Sequence, residues 1–109
     1  MSVHPTPLTY SQRQQVRVFV ALAYAGEAGL ARADLRAVVG SAHRPASEST
    51  TARVCDGMAA RGHIRRLVRP DLPRRPVYYV APRAVWQVKA SGWLRAYAHW
   101  CTRWMEGER

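Results

Sequence analysis

Apolar residues recur at helical spacing in four stretches of the chain, and two short runs rich in β-branched and aromatic residues separate the third stretch from the fourth. In the first stretch Val16, Phe19, Val20, Ala23 and Tyr24 fall three and four positions apart, so they share one face of a helix. Thr9 or Ser11 caps it, because each is followed three residues on by a glutamine (Gln12, Gln14) able to complete a capping box. Gly26 and Gly29 end it. Residues 30–40 read as a short helix with Leu35, Val38 and Val39 turned inward, Ala31 at its cap and Gly40 closing it. A turn follows, containing Pro45. Ser47 then caps a third helix that runs to about residue 61 and stops at Gly62, with Thr51, Val54, Cys55 and Met58 on its apolar face. Glu48, Ser49, Thr50, Arg53 and Gly57 lie on the other side, free for a partner.

Beyond Gly62 the two β-prone runs, 63–69 and 76–81, flank a proline-rich, charged connection, which predicts a hairpin with a basic tip. Pro82 suits the first position of a last helix, expected over 83–105 because no proline and only Gly92 interrupts it. Residues 1–8, with two prolines, read as a flexible arm. The expected class is therefore α+β, mainly α with a small β hairpin. Three helices, a hairpin and a helix make a winged helix-turn-helix over 9–82, with an added C-terminal helix over 83–109.

Charge changes the picture from a fold to a partner. Seventeen basic residues against seven acidic ones give a formal net charge of +10 over 109 residues, and a polyanion is the natural counterpart of such a field. All the basic residues except Lys89 are arginine, whose planar fork suits phosphates and guanine edges. With 48% hydrophobic residues the chain has enough apolar material for one modest core. It has no apolar run of the ~20 residues a membrane span needs and no signal-peptide pattern, so a cytoplasmic protein that does not enter membranes is expected.

Candidate chemistry is sparse. Cys55 and Cys101 lie on separate expected helices without metal-ligand spacing, and both read as reduced thiols; Cys55 suits a small buried hydrophobe better than an oxidation sensor. His4, His43, His63 and His99 share no metal-like spacing. No nucleophile–histidine–carboxylate grouping, glycine-rich phosphate loop or carboxylate pair emerges, so neither a metal, a cofactor nor an enzymatic activity is expected.

The run SESTTARVCDGMAARGHIRRL, with Ser49, Thr50, Arg53, Val54, Cys55, Asp56, Met58, Arg61 and Gly62, resembles the recognition helix and first wing strand of MarR-type and PadR-type regulators. RRPVYYVAP is similar to the second wing strand of the PadR type, and the resemblance spans roughly residues 28–83. It implies double-stranded DNA as partner and a final helix used for homodimerisation. Ser47, Ser49, Thr50 and Arg53 are then the recognition-helix contacts to phosphates and base edges, and Arg65, Arg66, Arg69, Arg74 and Arg75 form a basic wing. Trp86, Ala90, Trp93, Tyr97, Trp100 and Trp104 follow a seam spacing of four and three. The early part is expected against the first helix, and Trp93, Tyr97, Trp100 and Trp104 toward a second subunit. A dimeric transcriptional regulator, most simply a repressor on a palindromic operator, is the leading reading. A winged-helix adaptor for an acidic protein or RNA, and a nonspecific architectural DNA binder, are the alternatives.

Overall fold

The computed structural model describes residues 8–74, 76–86 and 92–102, and only the backbone of Trp93 and Leu94. Helix α1 spans Tyr10–Ala25, and Thr9 caps it with both halves of a capping box: Thr9 Oγ1 accepts from Gln12 N at 3.1 Å, and Thr9 N donates to Gln12 Oε1 at 2.9 Å. A 3-10 turn, Gly26–Ala28, leads to strand β1, Leu30–Ala31, and then to helix α2, Arg32–Val39. Helix α3 is Glu48–Ala60, strands β2 and β3 are Arg65–Val68 and Val77–Val80, and helix α4 is Gly92–Trp100. The chain is mostly helical with one small antiparallel sheet.

That sheet has three strands in the order β1-β3-β2, where the sequence predicts a two-stranded hairpin. Leu30 and Ala31, which open the stretch 30–40 read as helical, pair with Tyr79 and Tyr78, and α2 begins at Arg32 with Ala31 in the cap position expected of it. Tertiary pairing wins over local propensity there, because β3 offers its free edge to any extended backbone that reaches it. The hairpin itself pairs Arg65 with Val80, Arg66 with Tyr79, Leu67 with Tyr78 and Val68 with Val77. Gly29 makes the approach of β1 possible. At φ +64° it takes a conformation that favours glycine, and a Cβ there would collide with the carbonyl oxygen of Tyr79.

The core is a single cluster to which every helix contributes. Val18, Phe19, Leu22 and Ala23 of α1, Leu35 and Val39 of α2, and Cys55 and Met58 of α3 are all buried in it. Tyr79 closes it from the sheet, and Ala96 and Trp100 from α4. The inward faces of α2 and α3 agree with expectation, Val38 and Val54 being partly buried beside them. That of α1 is turned: Val18 and Leu22 are buried, Val16 and Val20 only partly, and Tyr24 is 48% exposed. Packing of α2, α3 and α4 around α1 decides this, since several faces of so apolar a helix could serve as core.

The end of the chain corrects a second expectation. Pro82 leads into one 3-10 turn, Arg83–Val85, and Trp86 is extended at ψ 154°. The indole Nε1 of Trp86 donates to Ala81 O at 2.6 Å, tying this segment back to the strand end. Within the described residues the expected helix is present over Gly92–Trp100, as α4. Residues 1–7 and 103–109, with all of the expected arm except Leu8 and with Trp104, lie outside the described residues. Among the described residues no helix is long and apolar enough to cross a membrane.

Candidate nucleic-acid interface

Helix α3 is fastened at both ends and pinned in the middle. Ser47 caps it, its Oγ accepting from Thr50 N at 3.1 Å and donating to Thr50 Oγ1 at 2.9 Å. Ser47 is thus occupied by the helix start, and Ser49, whose Oγ lies 3.3 Å from Ser47 Oγ, is exposed beside it. At the other end Gly62, at φ +81°, takes the left-handed turn that lets His63 N reach Met58 O at 2.9 Å. In the middle, Asp56 Oδ1 accepts from Tyr79 Oη at 2.6 Å, while Arg32 Nη2 reaches Oδ1 at 3.2 Å and Oδ2 at 3.0 Å. Arg32 also donates to Tyr79 Oη, and Arg66 Nε lies 3.3 Å from Asp56 Oδ1. One carboxylate therefore joins α2, α3, β2 and β3.

The arginines sort into two groups. Arg17 and Arg36 donate to backbone oxygens of Val39 and Ala46, Arg61 donates to Gln15 Oε1, and Arg32 and Arg66 converge on Asp56. Arg69, expected in the basic wing, donates to Ala28 O at 2.8 Å and lies 4.3 Å over the Tyr78 ring, bracing the hairpin against the loop before β1. These side chains build the scaffold. Arg53, Arg65 and Arg74 are exposed, and among the described residues none has a hydrogen-bonding or ion-pair partner.

Strand alternation also divides the arginines expected to form a wing. Arg65 and Arg66 are consecutive in β2 and point to opposite faces of the sheet. Arg66 turns toward α3 and Asp56, whereas Arg65 borders a cleft with His99 and Pro82 on the α4 side. The five expected wing arginines are therefore not one patch: Arg66 and Arg69 are partly engaged, Arg65 and Arg74 are open, and Arg75 lies outside the described residues.

The expected dimer seam needs a similar correction. Trp100 is 1% exposed and packs edge-on to His63 at a ring separation of 6.0 Å, inside the core of its own chain. It cannot meet a second subunit without leaving that core. Tyr97 is half-buried, and its phenol is raised above the ordinary range, first by hydrogen bonding with Cys101. The side chain of Trp93 and all of Trp104 lie outside the described residues.

Cys55 is fully buried, and burial first, then the charge of Asp56, pushes its thiol up to about 12. Such a thiol stays protonated and unreactive near neutral pH, which favours the buried hydrophobe over the redox sensor. Among the described residues no group of three histidine, cysteine or acidic side chains could hold a metal ion. Sequence reasoning did not single out Arg32 or Tyr79, the partners of Asp56; their signal is a pairing across 24 and 23 residues, which no local pattern carries. Comparison with protein-family models, with curated proteins and with solved structures finds no match.

Proposed function

We propose that this chain is a winged-helix protein that binds double-stranded DNA, with α3 offered to the major groove and the β2–β3 hairpin to the flanking backbone. The observation that carries this reading is the state of α3. Its inner residues Thr51, Cys55 and Met58 are buried, its position is locked through Asp56, and its outer face leaves Ser49 and Arg53 exposed on a chain of net charge +10. A rigid helix with an unpaired guanidinium outward suits groove entry. The order α1-β1-α2-α3-β2-β3, with β3 central in the sheet, supports the same reading. A homodimeric transcriptional regulator is the form that fits the resemblance of the α3 sequence, with recognition helices about 34 Å apart on a palindromic site.

The test is binding of the full chain to a pool of random duplexes at two salt concentrations, followed by sequencing of retained fragments. A steep salt dependence and a palindromic consensus are expected. Salt-dependent binding without a consensus would replace the regulator by a nonspecific DNA binder. Absence of binding at low salt would overturn the DNA reading in favour of an acidic protein or RNA as partner.

A further inference from the structure

A cleft of about 380 Å³ runs between the first two turns of α1 and the flank of α3. Tyr10 and Ser11 line one wall, and Thr50, Arg53 and Arg61 the other, over a floor of the buried amides Gln14 and Gln15. Two guanidinium groups border it and, among the described residues, no carboxylate does; Glu48 shares the first turn of α3 with Thr50 but stands outside the cleft.

The hydrogen-bond directions matter more than the composition. Ser11 Oγ accepts from Gln15 Nε2 at 3.4 Å, and Thr50 Oγ1 accepts from Ser47 Oγ at 2.9 Å. Each hydroxyl is thus used as an acceptor and keeps its proton for an oxygen outside the protein. Arg61 is fixed on the inner side, donating to Gln15 Oε1 at 2.9 Å, and contributes charge from a set position. Arg53 stands exposed at the lip, and among the described residues no side chain or carbonyl pairs with it. Donors from two helices and an Arg53 guanidinium that finds no acceptor among the described residues describe an anion site.

We infer that this cleft holds one phosphodiester of the DNA backbone, with Ser11, Thr50 and Arg53 as its donors. The inference rests on the DNA-binding reading and deepens it: α1, which the sequence does not place at the interface, becomes part of it, and Arg53 serves the backbone instead of a base. A phosphodiester has two anionic oxygens at a tetrahedral centre, so it can take donors arriving from both walls at once.

The experiment titrates the full chain with two labelled duplexes, one of random sequence and one selected for tight binding, over a range of salt. Wild type is compared with S11A/T50V, R53A and R53K, and each variant's fold is checked by its helical circular dichroism and melting. Ser11→Ala with Thr50→Val is expected to weaken both duplexes by a similar factor, roughly tenfold. Arg53→Ala is expected to weaken both and to lower the slope of log K against log salt by about 0.9, whereas Arg53→Lys, which keeps the charge, keeps the slope. Wild-type binding with no effect of S11A/T50V or R53A would overturn the cleft and leave the DNA reading standing. Loss in R53A confined to the selected duplex would also overturn it, by assigning Arg53 to a base. Failure of wild type to bind either duplex would overturn both.

Discussion

The phenol of Tyr79 donates a 2.6 Å hydrogen bond to Asp56, joining the central strand of the sheet to the middle of α3. Arg32, the first residue of α2, closes the same group by bonding to both partners. The angle at which α3 leaves the body is therefore held by a polar lock as well as by apolar packing.

Breaking that lock by Asp56→Ala leaves the buried Tyr79 phenol without its acceptor and Arg32 without its counter-charge, with only the Tyr79 oxygen still accepting from the guanidinium. A loss of about 1–3 kcal/mol in urea unfolding is expected, with Tyr79→Phe costing less because it removes a donor and strands no charge. On the proposed DNA-binding function, affinity for duplex DNA should also fall in both variants at temperatures where they remain folded. Stabilities within 0.5 kcal/mol of wild type, a threshold set at roughly the scatter of ordinary surface substitutions, would show that packing alone positions α3.

Two glycines should respond to alanine with opposite signs. Gly29 is at φ +64°, and an added Cβ would meet the Tyr79 carbonyl and lie 2.7 Å from Val80 Cγ1, so Gly29→Ala should destabilise by at least ~1 kcal/mol and loosen β1 from β3. Gly57 lies within α3 with only Arg61 Nη2, at 3.8 Å, near the position of an added Cβ. Gly57→Ala should therefore stabilise by roughly 0.5–1 kcal/mol. Thermal melting of the two variants decides this, and shifts of the same sign would refute it.

Removal of Trp100 should act on folding. Trp100→Ala opens a cavity beside His63 and is expected to cost about 3–5 kcal/mol, a large share of the roughly 5–15 kcal/mol that holds an ordinary domain folded. Trp100→Phe should be milder and should leave the molecular mass by light scattering unchanged. A stable Trp100→Ala protein with altered mass would instead place this residue between subunits.

Alkaline pH should expose a second consequence of burial. The Cys55 thiol is raised from 9.0 to about 12, by burial and then Asp56, and the Tyr79 phenol from 10.0 to about 12, by burial and then its hydrogen bond to Asp56. The unfolded chain loses these protons at lower pH than the folded one. Their contribution to stability is thus intact below about pH 9 and declines as pH rises toward 12. The melting temperature should fall over that window, and less steeply in Cys55→Ala. At pH 8 Cys55 should resist thiol reagents until denaturant is added; rapid labelling of the native protein at this position would contradict its burial.

What the sequence determined by itself is what nearby residues settle among themselves. The caps Thr9 with Gln12 and Ser47 with Thr50, the stop at Gly62 and the inward faces of α2 and α3 are all decided within about one helical turn, so spacing reveals them. Net charge is equally local, being a sum over residues. Only the tertiary structure decided the rest. β1 has two residues, too few to carry a period, and exists because β3 has an edge to pair with. Trp100 lies on an apolar stripe whether the surface covering it belongs to its own chain or to another, and α1 of the same chain packs against that helix. The arginines look alike in sequence, yet Arg66 and Arg69 brace the scaffold while Arg53 remains open, because their partners lie 10 and 41 residues away and meet them only after folding. A guanidinium becomes available to a ligand when folding leaves it no acceptor, and that is a property of the assembled surface.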